Sequence, residues 1–151
     1  MMVAGDPSER VVVGVDGSPG GDKALRWAVA EAERRGALLH IVVGAWYTPL
    51  WAISTPIPAV ELTESATPIL SRAVDEARAQ WPDVLIRQDI VVEPPAKALI
   101  DASEKASLLV VGSRGHGGFV GLLLGSVSQH CIVHASCPVV VVPAGERPPA
   151  P

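Results

Sequence analysis

The sequence predicts an open, twisted α/β sheet of five parallel strands in the order 3-2-1-4-5, with helices on both faces. Three observations predict it. Apolar, β-branched runs without polar alternation recur along the chain, the pattern of strands covered on both faces. The first four are each followed by a helical pattern, so parallel crossovers are the natural connection. With 151 residues, 48% of them hydrophobic, the chain has material for one well-buried domain rather than two.

Arg10 to Val15 (RVVVGV) is the first strand and ends at Asp16-Gly17-Ser18-Pro19. Ser18 suits an N-cap and Pro19 the first helical position, after which Leu25, Ala28, Val29 and Ala32 recur at helical spacing until Gly36 stops the helix. Leu38 to Gly44 (LLHIVVG) is the second strand. A proline-punctuated stretch from Thr48 to Pro58 reads as a long loop, with Trp46, Tyr47 and Trp51 on or beside it, either packing over the ligand crevice or anchoring the loop. Leu62 to Gln80 is the second helix, facing inward through Ile69, Leu70, Ala73, Val74 and Ala77 and closed by Pro82. Val84 to Val92 is the third strand, Pro94 to Ser103 the third helix, Leu108 to Val111 the fourth strand, Ser126 to Ala135 the fourth helix and Pro138 to Val142 the last strand. The domain is expected over 9–143, between a flexible start, 1–8, and a disordered Pro-rich tail, 144–151.

Right-handed crossovers leave few strand orders, and 3-2-1-4-5 makes strands one and four neighbours at the switch point. Ligands of such sheets bind off the carboxyl ends of the strands there. The segments DGSPGG and GSRGHGG then face one crevice. The second opens a stretch, Leu108 to Ser128, that runs strand, glycine-rich loop and helix start. In that order backbone N–H groups converge on an anion, and the helix N-terminus adds partial positive charge.

Composition excludes other classes. Twelve Lys+Arg against sixteen Asp+Glu give a net charge of −4, with the charges scattered, so no basic stripe follows a nucleic-acid backbone. Cys131 and Cys137 lack CxxC spacing and fit reduced thiols in a cytoplasmic protein. The start MMVAGDPSER carries no export pattern, and no apolar run approaches a membrane span. His130 and His134 lie four apart on a helix but lack the glutamate of an HExxH site and any third ligand, so no metal site is expected.

Gly112-Ser113-Arg114-Gly115, nine residues, then Gly125-Ser126 resembles the nucleotide motif of the ATP-binding universal stress proteins: Gly, two residues, Gly, nine residues, then Gly-Ser or Gly-Thr. VVVGVDGS, LLHIVV and CPVVVVP are similar to landmarks of the same family, so the resemblance spans nearly the whole chain. It implies a Rossmann-like, adenine nucleotide alpha hydrolase-like fold, a homodimer, and ATP between strands one and four. Carried onto this chain, it implies that Asp16 accepts from the ribose or adenine end and that Ile41 lines the adenine pocket. Gly112, Gly115, Gly125, Ser126, Val127 and Ser128 would hold the ribose and phosphates, with Arg114 and His116 adding positive charge. The chemistry agrees, since a carboxylate only accepts and suits hydroxyls, whereas loop amides and a hydroxyl donate to phosphate oxygens.

Plainer readings stand beside these. The glycines shape a surface turn; Asp16 is a turn residue before Ser18; Ser126 with Gln129 is a capping box; Ile41 is core. Glu93 stands before Pro94 where the family usually has Gly, which puts a charge beside the third strand's end.

The expectation is therefore a cytoplasmic ATP-binding module of the stress response, signalling through nucleotide-dependent conformation rather than turnover. Mg²⁺ would bridge the phosphates. No lysine stands where a Walker A loop needs one, and no catalytic triad, carboxylate pair or activated Cys assembles. The alternatives are a slow ATP-hydrolysing enzyme, a cyclic AMP binder and a nucleotide-free dimeric scaffold. DGSPGGD bears a faint similarity to the SGGxDS loop of ATP pyrophosphatases, in a different residue order. The homodimer is expected through the C-terminal strand, whose apolar edge would otherwise stay open.

Overall fold

In the computed structural model of the chain, which describes residues 8–47, 57–115 and 124–145, five parallel strands alternate with four helices. They are β1 (Arg10–Gly14), α1 (Pro19–Arg35), β2 (Leu38–Gly44), α2 (Ala59–Gln80), β3 (Ile86–Val91), α3 (Pro95–Ala102), β4 (Leu108–Gly112), α4 (Ser126–His134) and β5 (Val139–Val142). The sheet order is β3-β2-β1-β4-β5, as expected. Val11, Val12 and Val13 of β1 register with Leu108, Leu109 and Val110 of β4, fixing the central pair.

Alternation along the strands splits the interior in two. Val11, Val13, Leu39, Ile41 and Val110 pack with Leu25, Val29, Leu70 and Val74 of α1 and α2. Val12, Val42, Leu109 and Val111 pack with Leu99 and Cys131 of α3 and α4. Only the inner strands are covered on both faces. At the edges, Arg87 and Gln88 of β3 are exposed and all four valines of β5 are half-buried, so the expectation of five fully buried strands holds for the inner three.

Local signals act as anticipated in α1. Ser18 caps it, accepting from Gly21 N–H at 3.2 Å, Pro19 is its first residue, and Gly36 ends it in the left-handed region at φ 64°. Helix α2 starts earlier than the periodicity suggested, at Ala59, and continues through Pro68. Its first turn is solvent-facing, so no apolar repeat marks it. Ala144, assigned above to the disordered tail, is instead held: its N–H donates to Ser113 Oγ at 3.0 Å and its carbonyl accepts from Lys23 Nζ at 2.9 Å. Residues 146–151, Trp51 and most of the 48–58 loop lie outside the described residues.

Helix α3 lies close on the sheet because Gly44 ends β2. A Cβ at Gly44 would lie 2.6 Å from Pro95 Cα, so a side chain there would push the start of α3 outward. The same face holds His40, 4% exposed, with Nε2 2.7 Å from Asp89 Oδ2 and with a buried Nδ1 that meets no partner among the described residues. Burial pushes the His40 pKa down, opposed by the Asp89 hydrogen bond and reinforced by the positive charges of Arg87 and Arg10. Hydrogen bonds from Arg34 and then Arg35 hold the Glu31 carboxyl at about 2.

Both shifts make stability fall with acid. The unfolded chain protonates His40 first, so its contribution is full above about pH 6.5 and declines as pH falls toward the depressed folded value. Glu31 adds a second loss, from its ordinary 4.5 down to about 2. Thermal unfolding followed against pH is expected to show both segments, and His40→Gln to lose only the upper one. An upper segment unchanged in that variant would contradict the assignment.

Candidate functional site

The carboxyl ends of β1 and β4 meet at one crevice. Asp16 follows β1, and its Oδ1 accepts from the Ser18 N–H at 2.9 Å and from the Ser18 hydroxyl at 2.5 Å. That oxygen builds the turn into α1. The other faces the second loop, because a Cβ placed on Gly115 would collide with Asp16 Oδ2. The turn role and the site role thus fall to different oxygens of one carboxylate.

Ser113, which the sequence reading passed over, organises the β4 loop. Its N–H donates to the Val142 carbonyl at 2.8 Å, and its own carbonyl accepts from the Gly125 N–H at 2.6 Å. Its hydroxyl takes the Ala144 N–H. Both ends of the glycine-rich loop are therefore tied to one buried residue, whose only signal in the sequence is its place inside the Gly-x-x-Gly motif. Gly112 belongs to the same packing: a Cβ there would sit 2.8 Å from the Gly20 carbonyl oxygen, so α1 and the loop approach backbone to backbone. Arg114 is half-buried beside it and Gly115 is exposed, whereas His116 lies outside the described residues.

Helix α4 opens on the crevice without a side-chain cap. Its N-cap is Gly125, at φ −80° and ψ 171°, and Ser126 is the first helical residue. This corrects the capping-box alternative, since Gln129 Nε2 donates instead to the Leu124 carbonyl at 3.1 Å. The first intrahelical bond runs from Gln129 N–H to Gly125 O, which leaves the N–H groups of Ser126, Val127 and Ser128 directed out of the helix start. Partial positive charge collects there, suited to an anion. Ser128 contributes only backbone to this end. It is 2% exposed, and its hydroxyl donates to Gly125 O at 2.9 Å with Ser113 O at 3.2 Å.

Ile41 is not brought to the crevice. It has 0% exposure, pairs with Val13 and Gln88 in mid-sheet, and belongs to the α1/α2 core. The alternative reading of Ile41 as core is the one the structure supports. At the crevice end of β2 stand Gly44, Ala45 and Trp46 instead.

A cavity of about 540 Å³ opens beside the first turn of α4. Trp46, Pro94, Pro95, Ile100 and Val127 give it an apolar lining, and Ser126, Lys97, His130 and His134 a polar side. Its size and mixed lining are those of a small-ligand site. Lys97 Nζ is held by Asp101 Oδ2 at 2.9 Å and Glu93 Oε1 at 3.1 Å, so the charge that Glu93 brings beside β3 is paired with a lysine of α3. His130 Nδ1 lies 2.8 Å from the Ser126 carbonyl, to which it donates. Among the described residues no three His, Cys, Asp or Glu side chains form a metal-binding group, and no helix is long and apolar enough to cross a membrane.

The model of the universal stress protein family matches residues 7–143. A universal stress protein of Mycobacterium tuberculosis is 37% identical over 96% of this chain and 47% of that protein. The chain spans about half the length of the curated relatives it matches. Among solved structures, a universal stress protein in complex with cAMP is 30% identical with a TM-score of 0.70, covering 93% of this chain and all of that one. The universal stress protein of Archaeoglobus fulgidus in complex with dAMP is 26% identical with a TM-score of 0.66, covering 89% of this chain and 97% of that one.

Because a side chain at the exposed Gly115 meets one carboxylate group and no backbone, Gly115→Val is expected to cost about 1 kcal/mol of stability or less. It would also fill the space between the carboxylate and the loop amides, and is expected to weaken adenine-nucleotide binding at least about tenfold, a loss of roughly 1.4 kcal/mol. Calorimetric titration beside thermal unfolding checks both, and equal losses of stability and affinity would contradict it.

Proposed function

The chain belongs to the universal stress protein family, and from that premise we propose that it binds ATP at the crevice and serves as a nucleotide-dependent module of the stress response or its signalling. One observation carries the proposal: the acidic end of β1 and the glycine loop of β4 touch, through Asp16 Oδ2 and Gly115, beside a helix start that no side chain caps. A carboxylate that accepts from ribose hydroxyls and a row of N–H groups that donate to phosphate are thus set side by side, in the order a nucleotide presents them. The complexes of relatives with cAMP and dAMP support an adenine nucleotide as the ligand class.

ATP is favoured within that class because the amides of Ser126, Val127 and Ser128, the loop around Gly115 and the charge of Arg114 suit a chain of phosphates. Mg²⁺ fits as an ion carried by the phosphates and water, which need few protein ligands. The reading is of binding rather than turnover, since no Lys follows a Gly as the GK[ST] of a Walker A loop requires, and without that lysine a tightly placed γ-phosphate is harder to support. Cyclic AMP is the second reading, favoured by its complex with a relative that is 30% identical.

The protein works in the cytoplasm as a homodimer. Free Cys131 and Cys137 fit a reducing compartment. Strand β5 lies at the edge of the sheet with its four valines half-buried, and Ile132 and Val133 of α4 are exposed, a surface suited to a second copy.

Mass spectrometry of small molecules released from the purified protein, with calorimetric competition between ATP and cyclic AMP, tests the ligand. ATP is expected in the released fraction and as the tighter of the two; no nucleotide and no heat would leave a scaffold, and phosphate release above background would make it an enzyme. Sedimentation at micromolar concentration is expected to give twice the 15.7 kDa chain mass. A 15.7 kDa species alone would remove the dimer.

A further inference from the structure

With Ile41 sealed in the α1/α2 core, the base of a nucleotide needs another wall, and the cavity beside the start of α4 has one. Trp46 comes two residues after the end of β2, is 51% exposed, and lines the cavity that also reaches Ser126 and Val127 at the start of α4. Opposite the helix start, Pro94 and Pro95 form the lip of α3. This lip is fixed to the strand that carries Trp46: Pro95 lies against Gly44, where a Cβ would come within 2.6 Å of its Cα, and Ala45 N–H donates to the Val91 carbonyl at 2.8 Å. The backbone that carries the indole is thus fixed to the backbone of the proline lip.

We propose that Trp46, backed by the Pro94-Pro95 lip, is the base-holding wall of the site, stacking on the nucleobase and selecting nucleoside phosphates over inorganic phosphate chains. The assignment rests on the nucleotide-binding proposal above. Strand order supports it. Across the top of the sheet β2, β1 and β4 are successive neighbours, so Trp46, Asp16 and Gly115 succeed one another as base, ribose and phosphate do in a nucleotide. The cavity, at about 540 Å³, has room for a base with its sugar, and Trp46, Pro94, Pro95 and Ile100 give it apolar surface for a ring. An indole face takes a base without hydrogen-bond readout, so this wall adds affinity for a nucleobase, while identity of the base is read elsewhere.

Calorimetry of the full chain with ATP and with inorganic tripolyphosphate, on the protein and on Trp46→Ala and Trp46→Phe, tests it. Trp46→Ala is expected to lose about tenfold in ATP affinity with any tripolyphosphate binding unchanged, the size of effect seen when a stacking aromatic is removed. Trp46→Phe is expected to keep most of the ATP affinity while losing the ATP-induced change in tryptophan fluorescence. If the unaltered protein binds ATP and Trp46→Ala binds it equally, or if Trp46→Phe keeps the fluorescence change, this assignment is overturned while ATP binding stands. Absence of ATP binding in the unaltered protein overturns both. Trp46 is half-exposed, and should the alanine variant fail to fold, Trp46→Phe decides alone.

Discussion

Parallel pairing of β1 with β4 is the constraint from which the rest follows. These strands are separated by most of the chain, yet three residue pairs, Val11 with Leu108, Val12 with Leu109 and Val13 with Val110, hold them side by side. Crossovers leave the pair in opposite directions, the arrangement that opens a crevice beyond the carboxyl ends of such strands. Two loops with little in common in sequence therefore end against each other. One ends in a carboxylate, the other in amides.

Close backbone approach turns that juxtaposition into a shaped site. Gly112 lets the β4 loop reach the backbone of α1 at Gly20, and Gly44 lets α3 settle on the end of β2. Each contact would be lost to a side chain one carbon long. Ser113 then fixes the loop at both ends through its N–H, carbonyl and hydroxyl, so the start of α4 is held at β4 rather than left to a cap of its own. An uncapped helix start is tolerable where it meets solvent or an anion, and here it opens on the cavity.

The two faces of the sheet carry different duties. The α1/α2 face buries the larger core, Ile41 included, and its charged residues, such as the Glu31 cluster with Arg34 and Arg35, serve the surface of α1. The α3/α4 face is smaller in its core and holds the cavity, Trp46 and the buried His40. Polar groups that need explaining lie on this second face. The apolar weight that holds the domain together lies mainly on the first.

By itself the sequence determined the element order, the parallel sheet with its 3-2-1-4-5 order, the cap and stop of α1, and the family to which the glycine spacing points. These follow from local chemistry: runs of β-branched residues, Ser18 before Pro19, Gly36 after two arginines, and handedness rules that leave few topologies. Only the tertiary structure decided which atoms face the crevice. Ile41 and Trp46 lie five positions apart on one strand and its exit, and apolar character alone does not separate a residue sealed beneath α1 and α2 from one at a cavity mouth. Ser128 and Gln129 likewise read as site and cap, but their polar groups are taken by the carbonyls of Gly125 and Leu124. Hydrogen-bond partners and burial depend on what packs from distant parts of the chain, and no local pattern encodes them.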